Sequence, residues 1–135
     1  MKISEKLDFL FLLSRVDAVL SRKLSGQGLS LVDLAVLYAI SQAPEGRIRR
    51  TDLAEQVGLT ASAVTRLLLP LEKTGVVKRE VTEHDARVSF TVLTKAGTEL
   101  LEDSLKWAEF KVDDLLPEVE AKKLDIARSL LKHIA

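Results

Sequence analysis

Apolar positions along the first part of the chain repeat with helical rather than strand spacing. From Ser4 to Leu24 there is neither glycine nor proline, and the pattern predicts a helix over that stretch. Leu7, Leu10, Phe11 and Ala18 share one side of it, while Phe9, Leu13, Val16 and Leu20 spread around the cylinder. A helix that is apolar over most of its girth must be covered on more than one side. Two readings are open. A second copy of the chain covers it, or it is the buried central helix of the monomer, which a small domain rarely surrounds.

Ser25-Gly26-Gln27-Gly28 breaks this helix. A second is predicted after it, with Ser30 as N-cap and Asp33 at the third helical position in a capping-box arrangement. Leu31, Leu34, Leu37 and Tyr38 supply its inward stripe, and Pro44-Glu45-Gly46 ends it. Two shorter helices follow, Thr51 to Val57 and Thr60 to about Lys73, divided by Gly58-Leu59, each opening on a threonine placed to cap it. The period then changes from helical to alternating. Val76 to Val81 and Val88 to Leu93 are rich in β-branched residues, with Val77/Arg79/Val81 and Val88/Phe90/Val92 as alternating sets. The polar stretch Thr82-Glu83-His84-Asp85-Ala86-Arg87 joins them as a β-hairpin. Thr94 caps a further helix carrying Leu100, Leu101, Leu105 and Ala108. Pro117 suits the first turn of a last helix, whose apolar positions are Leu124, Ala127, Leu131 and Ile134.

The order helix, short helix, glycine turn, second helix, hairpin is that of a helix-turn-helix followed by a wing. Ala54 is small where the two short helices cross, Gly58 permits the sharp turn, and Val64, Leu67, Leu68 and Leu71 give the second helix a buried stripe. That leaves Ala61, Ser62, Thr65 and Arg66 on the opposite face, near the helix N-terminus. In helix-turn-helix proteins this end enters the major groove of DNA. Small residues allow close approach, hydroxyls bond phosphates or base edges, and arginine pairs with a guanine edge through two hydrogen bonds. The helix N-terminus adds its own attraction for phosphate.

Leu59-Thr60-Ala61-Ser62-Ala63-Val64-Thr65-Arg66-Leu67-Leu68, followed by Leu71-Glu72-Lys73-Thr74-Gly75-Val76-Val77-Lys78-Arg79, resembles the recognition helix and first wing strand of the MarR family of bacterial transcriptional regulators. Asp85-Ala86-Arg87, then Val92-Leu93-Thr94-Lys95-Ala96-Gly97, is similar to the same family's wing motif. The resemblance is densest over about residues 30–100. It implies a mainly α fold with a small β-hairpin wing (α+β): a winged helix-turn-helix lobe over residues 30–97, with dimerisation helices at 1–25 and 98–135 making up a single MarR-type domain over 1–135. It further implies a homodimer on a pseudo-palindromic promoter site in double-stranded DNA, acting as a repressor. The DNA-binding set it implies is Thr60, Ser62, Thr65, Arg66, Asp85 and Arg87. Ser62, Thr65 and Arg66 would make major-groove and phosphate contacts, and Arg87 would enter the minor groove, oriented by Asp85. A narrow minor groove concentrates negative potential and attracts arginine. A small aromatic effector shifting the two lobes is also implied, provided it binds their two arrangements with different affinity.

Two departures from the family pattern stand out. Leu69-Pro70 occupies positions where relatives often carry polar residues, and proline there removes a helical donor and favours a kink. The wing tip also lacks the further basic residues of many relatives, which concentrates minor-groove affinity on Arg87.

Composition narrows the picture by exclusion. The chain has 135 residues with 20 basic and 20 acidic side chains, so it is no general polycation. Residues 44–97 carry nine basic and seven acidic groups, against six and nine in residues 98–135, so neutrality is a cancellation between a mildly basic lobe and an acidic C-terminal region. With no cysteine and two histidines far apart, His84 and His133, neither a thiolate site nor a zinc site is expected, and no cofactor. No nucleophile-base set or phosphate-cradling glycine loop is present, which argues against an enzyme. The longest early apolar run, Phe9 to Leu13, is too short for a membrane span, and a cytoplasmic location is expected. Arg47, Arg49 and Arg50 read equally well as phosphate-tracking side chains or as a solvated loop. Trp107 and Tyr38 read as packing residues. Leu69, Pro70 and the neutral sum motivate an alternative, a winged-helix protein-interaction module without DNA binding, and a third reading is a sequence-tolerant architectural DNA binder.

Overall fold

A computed structural model describes residues 1–85 and 87–135; Ala86, in the middle of the wing motif, lies outside the described residues. The elements in chain order are α1 (Glu5–Lys23), α2 (Leu31–Gln42), β1 (Arg47–Ile48), α3 (Arg50–Val57), α4 (Ala61–Lys73), β2 (Val77–Val81), β3 (Ser89–Leu93), α5 (Lys95–Leu115) and α6 (Ala121–Ile134). Both α1 and α2 open on a capping serine, the second of them as predicted. Ser4 accepts the Leu7 N–H, and Ser30 and Asp33 exchange hydrogen bonds at 3.0 and 3.1 Å in a complete capping box.

The core sits where α2, α3, α4, the sheet and α5 converge. Leu37, Ile40, Leu53, Val64 and Leu68 have no solvent-exposed surface. The inner arc of α2 differs from the stripe expected. Leu34 and Leu37 are buried as predicted, but Leu31 is half-buried and Tyr38 is 49% exposed, while Val36 and Ile40 are fully enclosed. At 100° per residue, Leu31 and Tyr38 lie together beside the buried arc rather than on it. The helix is wrapped by α3, α5 and β3, which rotates and widens the face it buries.

The wing is a three-stranded antiparallel sheet in the order β1-β3-β2, not the isolated hairpin the pattern predicts. β1 is too short to leave an alternating signature, but Arg47 pairs with Val92 and Ile48 with Thr91. β2 and β3 pair from Val77 with Leu93 to Val81 with Ser89. The alternation expected of them does not appear: β3 buries the consecutive Thr91 and Val92, and β2 buries only Val77, with Val81 at the far end exposed.

Two further expectations are corrected. Thr51 does not cap α3: the N-cap is Arg49, which makes no side-chain cap bond, and Thr51 falls inside the first turn. Pro117 is not in the first turn of the last helix, because α6 begins only at Ala121, with Glu120 as its N-cap. Pro117 lies instead in the turn between α5 and α6.

The terminal helices have a different character from the lobe. Every residue of α6 is exposed, including Ile126, Leu130 and Ile134. On α1, Leu10, Phe11, Leu12 and Val16 are exposed, and only Phe9, Leu13, Val19 and Leu20 are half-buried. The reading of α1 as a monomer's buried central helix is therefore overturned. No helix among the described residues is long and apolar enough to cross a membrane.

Candidate nucleic-acid interface

The helix-turn-helix is built by one left-handed residue. Gly58 closes α3 at φ +70°, ψ 29°, a conformation that strains any residue with a Cβ, and the Leu59 N–H reaches back 2.9 Å to the Ala54 carbonyl. Ala54 is 5% exposed, buried where α3 meets α4. Thr60 then caps α4, its hydroxyl oxygen accepting the Ala63 N–H at 3.1 Å. With Val64, Leu68 and Leu71 turned inward and Leu67 packed against the core, Ala61, Ser62, Thr65 and Arg66 face out. These four line one shallow depression at the N-terminal end of the helix.

Proline does not end this helix. α4 continues past Pro70 to Lys73, and the Thr74 N–H bonds the Pro70 carbonyl at 3.0 Å. Pro70 has no N–H to return to the Arg66 carbonyl, so the helix is loosened just beyond the outward face. Leu69 is 51% exposed, as its position beside that face implies.

The wing tip is organised around Asp85. Its Oδ1 accepts the Arg87 backbone N–H at 2.9 Å and Arg87 Nε at 3.3 Å. Thr82 holds the other side of the turn, donating to the Asp85 carbonyl at 2.9 Å and accepting the Asp85 N–H at 3.3 Å. The Arg87 side chain is 93% exposed. Because the carboxylate takes Nε, the terminal amino groups of the guanidinium remain for an outside partner. Asp85 and Arg87 are thus brought together as predicted, on an element separate from Ser62, Thr65 and Arg66.

The arginines around the start of α3 have distinct roles. Arg47 pairs with Glu45 at 3.0 Å and Glu80 at 3.3 Å, and its guanidinium lies 4.6 Å from the centroid of Phe90. It thereby spans the sheet from β1 across β3 to β2. Arg50 is bonded to Glu72 on the last turn of α4 and, at 3.4 Å, to the Thr65 hydroxyl. Arg49 is exposed. The solvated-loop reading does not fit Arg47 and Arg50, whose ion pairs tie the lobe together. Their carboxylate partners Glu80 and Glu72 lie 33 and 22 residues away in sequence, beyond the reach of local pattern. Trp107 packs as expected: a Cβ on Gly26 would fall 2.9 Å from its ring, and Lys111 lies over the ring at 5.8 Å.

An outward helix N-terminus following a left-handed glycine turn, and then a sheet with an aspartate-paired arginine at its tip, define a winged helix-turn-helix protein. The sequence profile described as the MarR family matches residues 27–88. The uncharacterized HTH-type transcriptional regulator YdgJ of Bacillus subtilis (strain 168) is 33% identical over 121 residues, covering 89% of this chain and 73% of that protein. The chain belongs to the MarR family of transcriptional regulators. Its fold is that of the MarR family regulator Sco3205 from Streptomyces coelicolor, solved in complex with DNA (TM-score 0.84, 23% identity, covering 99% of this chain and 88% of that one). The transcriptional regulator BldR from Sulfolobus solfataricus is similarly close, with a TM-score of 0.80, 25% identity and coverage of 98% and 99%.

Proposed function

We propose that this regulator is a homodimer that binds a pseudo-palindromic promoter site in double-stranded DNA and represses transcription by occupying it. The observation that carries the reading is the depression formed by Ala61, Ser62, Thr65 and Arg66 at the exposed N-terminal end of α4. Such an end offers small side chains, hydroxyls and a guanidinium to a major groove. Ser62, Thr65 and Arg66 contact bases and phosphates there. Thr60 orders the helix start, and Arg87, held by Asp85, enters the flanking minor groove. Residues 30–97 form the DNA-binding lobe, while residues 1–25 and 98–135 supply the dimerisation helices. Support for that division comes from the exposed apolar side chains of α1 and α6, which a second copy would cover.

The protein acts in the cytoplasm, without enzymatic activity, and a small aromatic effector binding one spacing of the two lobes better than the other releases the DNA. The deciding experiment selects bound duplexes from a randomised pool with purified protein, then measures affinity for the selected sequence against scrambled DNA. A two-fold symmetric selected site with a large specificity ratio is the expected result. Equal affinity for all duplexes would identify an architectural binder, and no binding even in low salt would leave the lobe as a protein-interaction module.

A further inference from the structure

Thr65 differs from Thr74 and Thr98 in where its hydroxyl is engaged. Thr74 and Thr98 each donate to the carbonyl four residues back, at 2.9 and 3.1 Å, the usual resort of a threonine in or at the end of a helix. The Thr65 hydroxyl is instead approached by Arg50, whose Nη1 donates to Oγ1 at 3.4 Å across the α3–α4 junction. The other arm of the same guanidinium is fixed on Glu72, with side-chain exposures of 28% for Arg50 and 30% for Glu72. A guanidinium only donates, so it occupies a lone pair of Oγ1 and leaves the hydroxyl proton directed elsewhere. Thr65 lines the outward depression beside Ala61, Ser62 and Arg66.

We infer that Arg50, anchored by Glu72, is a positioning residue that sets Thr65 as an outward hydrogen-bond donor and so biases the recognition helix toward a base-edge acceptor. This rests on the reading of α4 as a major-groove helix. An unassisted threonine hydroxyl serves either a donor or an acceptor on a base edge. With Arg50 in place, purine N7, guanine O6 or thymine O4 is matched. The amino groups of cytosine and adenine are matched less well, because they are left the second lone pair of an oxygen that already accepts from a cationic guanidinium.

The test compares selected and singly substituted duplexes bound by the wild-type protein, Arg50→Met, Arg50→Lys, Glu72→Gln, Thr65→Val and Thr65→Ser. For the wild type and Thr65→Ser, one base pair in each half-site should favour an acceptor by about five- to tenfold, the scale of a single base-edge contact. In Arg50→Met and Thr65→Val that preference should fall to within about twofold at that base pair alone, and combining them should add nothing there. Glu72→Gln should weaken it in the same direction. Arg50→Lys keeps the charge but cannot reach both partners. It should lose the preference with an unchanged salt dependence, and it decides the matter if Arg50→Met does not fold. Affinity lost equally on every duplex in Arg50→Met, with the salt slope reduced by about one, and largely kept in Arg50→Lys, would make Arg50 a phosphate contact and overturn the proposal. An unchanged preference would overturn it too. If the wild type binds no duplex, the DNA-recognition reading falls and this proposal with it.

Discussion

Gly97 meets Val76 through backbone alone: a Cβ on Gly97 would lie 1.9 Å from the Val76 carbonyl oxygen. The contact joins the first turn of α5 to the residue before β2. Thr94 reinforces it, its N–H bonding the same carbonyl at 3.1 Å while its hydroxyl oxygen accepts the Gly97 N–H at 3.0 Å. Gly97→Ala therefore forces the wing and α5 apart. Urea unfolding should show a loss of about 1–3 kcal/mol, the range for overpacking a filled site. An unchanged midpoint would show that the junction yields freely.

Leu68 and Leu69 are neighbours with opposite environments, 0% and 51% exposed. Leu68→Ala should cost about 2–5 kcal/mol by opening a cavity beneath α4. Leu69→Ala should stay within about 0.5 kcal/mol, as surface substitutions do. Equal losses in chemical denaturation would contradict the inward and outward faces of the helix.

Arg66 and Arg87 should matter to DNA and not to folding. The Asp85–Arg87 pair is exposed, and such pairs contribute about 0–1 kcal/mol. Arg87→Ala should thus leave thermal unfolding nearly unchanged while weakening DNA binding, with the salt slope shallower by about one if the contact is to phosphate. Arg66→Ala should cost about 1–3 kcal/mol and relax preference at one base pair if it reads guanine. Fluorescence anisotropy across a salt series checks both; binding unaffected in the double variant would remove these residues from the interface.

Phe11 is 57% exposed on α1 and Ile126 is 63% exposed on α6. If a second copy covers them, Phe11→Glu and Ile126→Glu should each shift light scattering from dimer to monomer at micromolar concentration. The wild type running as a monomer there would refute the homodimer directly.

Local chemistry was readable where one residue determines the outcome. Ser30 with Asp33, Thr60 with Ala63, and Gly58 at its positive φ follow from short-range geometry, and each lies where the pattern puts it. The outward set on α4 was equally legible, because helical period separates Ser62, Thr65 and Arg66 from Val64 and Leu68. What escaped depends on distant partners. Ile48 becomes strand only by pairing with Thr91, and Tyr38 is turned out by what packs around α2. Thr51 looked like Thr60, yet the N-cap falls two residues earlier, at Arg49, so its hydroxyl lies inside the turn instead of before it. Arg50 was visible as a basic residue but not as the partner of Thr65 and Glu72, since nothing local links positions so far apart.

The exposure of α6 along its whole length bears on how the protein responds to its own abundance. An isolated helix of its 14 residues is marginal in water, and propensity alone does not hold it. Under the homodimer reading, its order is gained on association, so folding of the C-terminal segment and self-association are linked equilibria. Dilution should then release helical signal while the lobe built on Leu37 and Leu68 stays folded. Occupancy of DNA would rise more steeply than in proportion to total chain, because only the associated form presents two lobes at once.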